Sequence, residues 1–159
     1  MSRRRLAAFG ASATVLSLSG CGESTGSAKP LTRSALIARG DLICRRLNTK
    51  LTITAAGGEG GGLAQLLLSQ AAYEDAVTAA MRKLNPPASM ANGWGQMVSG
   101  AQTLADATTK LGEYENSHNN TLFSPSPTSR AASTAMADGT RQLTAAAGRE
   151  GFKDCAQVR

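Results

Sequence analysis

The sequence predicts an all-α fold, a four-helix bundle-like domain, on three observations. Four segments place their apolar residues three and four positions apart, the repeat that lays them along one side of a helix. Between these segments stand stretches that cannot continue a helix: Gly57-Gly58-Glu59-Gly60-Gly61-Gly62, Asn85-Pro86-Pro87, and the polar run from Ser117 to Ser129. No stretch alternates apolar and polar residues with the period of a strand.

The first helix is expected from Thr32 to about Ala56, with Thr32 or Ser34 as its N-cap. Leu36, Gly40, Ile43, Leu47 and Leu51 form its stripe. Ile37, Cys44 and Leu51 recur at sevens, which puts Cys44 on the edge of the buried face. The second runs from Leu63 to Leu84 on Leu63, Leu66, Leu67, Tyr73, Val77, Met81 and Leu84, with one gap of six positions. The third, from about Ser89 to Glu115, keeps an unbroken spacing through Met90, Trp94, Met97, Ala101, Leu104, Thr108 and Leu111, which suits packing against neighbours at a shallow angle. Trp94 is the only tryptophan and is expected in the core, with Gly93 and Gly95 beside it opening room for another backbone. The fourth helix, from about Thr128 to Arg149, carries the small-residue face Ala132, Met136, Leu143 and Ala147. Gly151 should end it, with Phe152 folding back on the last turn as in a Schellman motif. Leu122 and Phe123 are expected to pin the long polar loop to the bundle.

Ahead of the helices, Arg3, Arg4 and Arg5 followed by an apolar run from Leu6 to Leu18 have the layout of an export signal, and the run is short for a membrane span. The start, Ser2-Arg3-Arg4-Arg5-Leu6, partly resembles a twin-arginine signal, and a general secretory route fits equally well. Leu18-Ser19-Gly20-Cys21 resembles the lipobox of bacterial lipoproteins, which implies cleavage before Cys21 and lipid on that residue. The chain then divides into a signal at 1–20, a lipidated tether at 21–30 and a helical domain at 31–159. Three of the 17 Lys and Arg residues lie in the signal, so 14 face 11 acidic residues in the mature chain, a net of +3. That balance is too small and too dispersed to point to nucleic acid.

With Cys21 taken by lipid, Cys44 and Cys155 remain as a pair in an oxidising, extracytoplasmic setting, and a disulfide is expected between them. Glycines at 40, 93, 95, 100, 112 and 139 fall inside the expected helices and each costs about 0.5 to 1 kcal/mol relative to alanine. The disulfide is therefore expected to be structurally necessary.

Chemistry-bearing patterns are sparse. His118 is the only histidine and lies in the polar loop, so a histidine-based metal site or a Ser-His-Asp triad would rest on it alone. The Glu-x-x-His pairs of di-iron bundles and the C-x-x-C-H of haem attachment are absent, and no cofactor or metal is implied. Glu74-Asp75 and Glu113 with Glu115 are expected on solvated helix faces. Tyr73, Met81, Met90, Trp94 and Met97 would either fill the core or line a cavity between helices.

Four short stretches carry a resemblance to small actinobacterial cell-envelope lipoproteins and secreted proteins of uncharacterised function: Leu18-Ser19-Gly20-Cys21, Asp41-Leu42-Ile43-Cys44-Arg45-Arg46-Leu47-Asn48, Leu84-Asn85-Pro86-Pro87-Ala88, and Gly151-Phe152-Lys153-Asp154-Cys155-Ala156. The resemblance implies an extracytoplasmic helical bundle with one disulfide and no active site to carry over. The expected role is a non-enzymatic one: a protein held on the cell membrane by lipid on Cys21 that binds an envelope protein or supports an envelope assembly. A bundle that binds a small molecule or lipid is the second reading.

Overall fold

A computed structural model of the chain describes residues 29–55, 62–118 and 126–158. The expected export signal, Cys21, the expected tether as far as residue 28, the glycine run at 57–61, and Leu122 with Phe123 lie outside the described residues. Four helices make the fold: α1 (Arg33–Ala55), α2 (Leu63–Arg82), α3 (Ala91–Ser117) and α4 (Pro127–Glu150), with 3-10 turns at Ala88–Met90 and Cys155–Gln157. Among the described residues there is no strand, and no helix is long and apolar enough to cross a membrane.

Each helix end has a local cause. The backbone N–H of Ala35 donates to Thr32 Oγ1 at 3.2 Å, so Thr32 caps α1. At α4, Ser126 Oγ accepts from the Ser129 N–H at 3.0 Å and Pro127 occupies the first turn, where its missing N–H costs nothing. Helix α2 stops at Arg82, two residues short of the expectation, because the chain tightens through Lys83 and Leu84 before the two prolines. Gly151 closes α4 with φ 88°, and the N–H groups of Phe152 and Gly151 donate to the carbonyls of Ala147 and Gly148, the paired bonds of a Schellman motif.

The core joins Leu36, Cys44 and Leu47 of α1 to Val77 and Met81 of α2. Met90, Trp94, Met97, Ala101 and Leu104, and Leu143, Ala146 and Ala147 of α4, complete it together with Phe152, Cys155 and Val158 from the C-terminal end. Cys44 is fully buried, deeper than the edge position expected. The six-position gap in α2 holds the buried Ala71, and the buried stripe runs Leu67, Ala71, Glu74, Thr78, Met81, with Tyr73 half-buried beside it. On α3 the stripe continues past Thr108 through Gly112 and Glu115 rather than Leu111, which is half-buried. Ile37, Ile43 and Leu51 of α1 and Met136 of α4 are likewise half-buried and pack around the core.

The close backbone approach is elsewhere than expected. A Cβ on Gly95 would meet nothing within 4 Å, and one on Gly93 would run into the Glu150 side chain, not a backbone. It is Gly100 of α3 and Gly139 of α4 that touch: a Cβ on Gly100 would stand 2.6 Å from the backbone nitrogen of Leu143 and 2.9 Å from the carbonyl oxygen of Gly139. Two helices that meet through their backbones need glycine on both sides, so the propensity lost at these positions is offset by close packing.

Candidate functional site

Three features could carry function: the C-terminal clamp, the aromatic and methionine core, and a groove on α3 and α4.

The clamp is built on one face of α1. Asp41, Cys44, Arg45 and Asn48 are spaced so that all four reach the segment after α4. Cys44 and Cys155 form a disulfide with Cα atoms 4.9 Å apart, closing a separation of 111 residues. The Asp41 carboxylate accepts from three successive backbone N–H groups, those of Lys153 (3.1 Å), Asp154 (2.8 Å) and Cys155 (3.4 Å). Arg45 pairs with Asp154 at 2.9 Å, and Asn48 Nδ2 donates to the Asp154 carbonyl at 3.1 Å. Phe152 fits a notch left by Gly40, where a Cβ would stand 2.6 Å from its ring, and its ring centroid lies 5.6 Å from that of Trp94. The residues around Cys44 and those around Cys155 are two halves of one joint.

Of the five residues expected to fill the core or line a cavity, Met81, Met90 and Met97 are fully buried, Trp94 is 4% exposed, and Tyr73 packs against them from the rim. They belong to the packed cluster under Phe152.

The groove lies apart from them. Its volume is about 920 Å³, and among the described residues its lining comes from α3 and α4. Ala107 and Ala132 are buried in its floor, with Ala131 and Ala135 alongside; Asp106, Lys110 and Glu113 are exposed along its rim, and Tyr114 stands near its end. Small residues on both helices leave the space, and it opens beyond the Gly100–Gly139 crossing, starting at Thr103 and Ala135. At its far end the Tyr114 ring stacks on His118 with centroids 4.1 Å apart, while Ser117 Oγ donates to the Tyr114 carbonyl at 2.8 Å. His118 Nδ1 is 2.8 Å from that same carbonyl, so the lone histidine caps the end of α3. The sequence carries the groove as a second stripe on α3, at 103, 106, 107, 110, 114 and 117, whose mix of small and charged residues is also that of an ordinary solvated face.

Two carboxylates depart from expectation. Glu74 is 2% exposed and Glu115 is 7% exposed, both turned into the bundle rather than solvated. Glu74 Oε1 accepts from Gln70 Nε2 at 2.8 Å, and the second oxygen of each carboxylate has no hydrogen-bond partner among the described residues. Burial pushes the Glu74 carboxyl above the ordinary glutamate range, against the lowering effect of the hydrogen bond from Gln70.

Fold and site together define a four-helix domain closed by a disulfide, with a groove along its last two helices. No family model, curated protein or solved structure matches the chain.

Proposed function

We propose that the protein is an exported, lipid-anchored, non-enzymatic component of the cell envelope that receives a segment of a protein partner in the groove between α3 and α4. The observation that carries this reading is the groove itself, with an alanine floor, charges of both signs on its rim and an aromatic ring at its end, a composition suited to an extended or helical peptide. Its position supports the reading. The Leu31 N–H donates to the Asn85 carbonyl at 2.8 Å, so the tether enters the bundle where α2 turns toward α3. Thr103 lies twelve residues beyond the start of α3, about 18 Å further along that helix at 1.5 Å per residue. A chain anchored through lipid on Cys21 therefore presents the groove away from its tether, toward other envelope proteins.

The second reading, a small-molecule or lipid-binding bundle, would need room among Tyr73, Met81, Met90, Trp94 and Met97, and those side chains pack against the core.

Photo-crosslinking in intact envelopes tests the proposal. A crosslinking residue at Ala131, in the groove, is expected to capture a discrete protein, and one at the exposed Ala145 is not. Ala135→Trp should fill the groove and abolish the adduct. Equal capture at both positions, or none at Ala131, rules the groove out. Labelling with a fatty-acid analogue tests the anchor separately, since a Cys21→Ser chain that still takes label would refute it.

A further inference from the structure

We propose that the exposed face of α1 is a docking surface for anionic lipid headgroups, holding the domain on its side against the membrane. The net +3 of the mature chain conceals a strong asymmetry. Helix α1 carries Arg33, Arg39, Arg45, Arg46 and Lys50 against one acid, Asp41, a net of +4, whereas α3 carries Lys110 against Asp106, Glu113 and Glu115, a net of −2. The structure then sorts these charges. Asp41 is turned to the C-terminal segment, where three backbone N–H groups occupy its oxygens, and Arg45 is held by Asp154 on the same side. Arg33 donates to the Glu150 carbonyl at the helix start.

Arg39 and Arg46 remain exposed, two turns apart on one line of the helix. Leu42, between the two arginines, is 45% exposed and the one large hydrophobic residue so exposed among the described residues. Two exposed arginines flanking an exposed leucine suit contact with a headgroup layer, each cation adding attraction to an anionic surface. None of the described lining residues of the groove is on α1, so a membrane on this face leaves it open. Arg46 lies thirteen residues into α1, about 20 Å along it, within the roughly 33 Å that an extended ten-residue tether can span.

The inference rests on the envelope reading for the presence of a membrane, and the experiment separates the two. The chain from residue 21, as Cys21→Ser with its disulfide formed, holds every described element and no acyl group. It is mixed with vesicles of phosphatidylcholine with and without phosphatidylglycerol, at low and high salt, and sedimented. Binding is expected only where phosphatidylglycerol is present, and should weaken with salt. Arg39→Gln with Arg46→Gln should lower the partition constant about twenty-five-fold, at about fivefold per cation. Arg130→Gln with Arg141→Gln, which removes the same charge from α4, should leave it unchanged. Absence of binding to the anionic vesicles, equal losses in the two double variants, or equal binding to neutral vesicles overturns the proposal. If fatty-acid labelling shows Cys21 unmodified, the anchor reading fails while the vesicle result still stands.

Discussion

Gly100 and Gly139 face each other across the crossing of α3 and α4, each in space that a methyl group cannot share with the opposite backbone. A Cβ on Gly139 would stand 2.6 Å from the backbone nitrogen of Leu104 and 2.9 Å from the carbonyl oxygen of Gly100, the mirror of the contacts at Gly100. Alanine at either position gains about 0.5 to 1 kcal/mol of helix propensity. Pushing two backbones apart costs more, in the range of about 1 to 3 kcal/mol found for overpacked interiors. Gly100→Ala is therefore expected to lower stability in urea unfolding, and Gly95→Ala, which meets nothing within 4 Å, to raise it. A Gly100→Ala protein as stable as the parent would show that the crossing is loose.

Asp41 organises the C-terminal segment more directly than the disulfide beside it. Its carboxylate holds three consecutive N–H groups, and hydrogen bonds to a charged acceptor are the stronger kind. Asp41→Ala leaves those donors without their partner, and a loss of about 1 to 3 kcal/mol is expected. Hydrogen exchange should accelerate at residues 153–155 ahead of the rest of the chain, and the disulfide should be reduced faster by a small thiol. Exchange that stays unchanged at those three amides would remove the carboxylate from the joint.

Removing the disulfide should be the most damaging of these changes. Closing 111 residues restricts the unfolded chain by roughly 4 to 5 kcal/mol on loop-closure entropy, a large part of the net stability of a domain this size. Cys44→Ser with Cys155→Ser is expected to lower the melting temperature sharply, and reduction of the parent should do the same. An unaltered melting temperature in the double variant would falsify the clamp.

Glu74 predicts an unusual pH dependence. Because burial raises its carboxyl above the ordinary range, the folded state keeps this proton to higher pH than the unfolded chain does. Stability from this group is then fully present below the ordinary glutamate value and falls as pH rises from there through the raised folded value. Thermal melts should show Glu74→Gln gaining on the parent as pH rises through that window. A constant difference between the two proteins across the window would mean that Glu74 ionises in the fold as it does in water.

Much of this architecture was legible in the residues. The unbroken spacing from Met90 to Thr108 located α3 and its buried face, Thr32 and Gly151 marked helix ends, and Asn85-Pro86-Pro87 marked a turn. The pairing of Cys44 with Cys155 followed from a cysteine count. The groove was harder to read, because a stripe of small and charged residues looks the same whether it faces water alone or a cleft. Glu74 and Glu115 were misplaced because a carboxylate has a strong preference for solvent, and only the helices packed around it show which side of that preference has been overridden.

The sequence by itself determined, to within a turn, where the helices begin and end and which faces most of them bury, because capping, helix breaking and apolar periodicity act between residues a few positions apart. Only the tertiary structure decided which glycines are required, since Gly95 and Gly100 differ in what the opposite helix brings to them rather than in anything beside them in the chain. The same holds for the α1 cations, whose number is written in the sequence. That Asp41 is turned from them toward the C-terminal segment, leaving Arg39 and Arg46 in the open, follows from packing between segments more than a hundred residues apart.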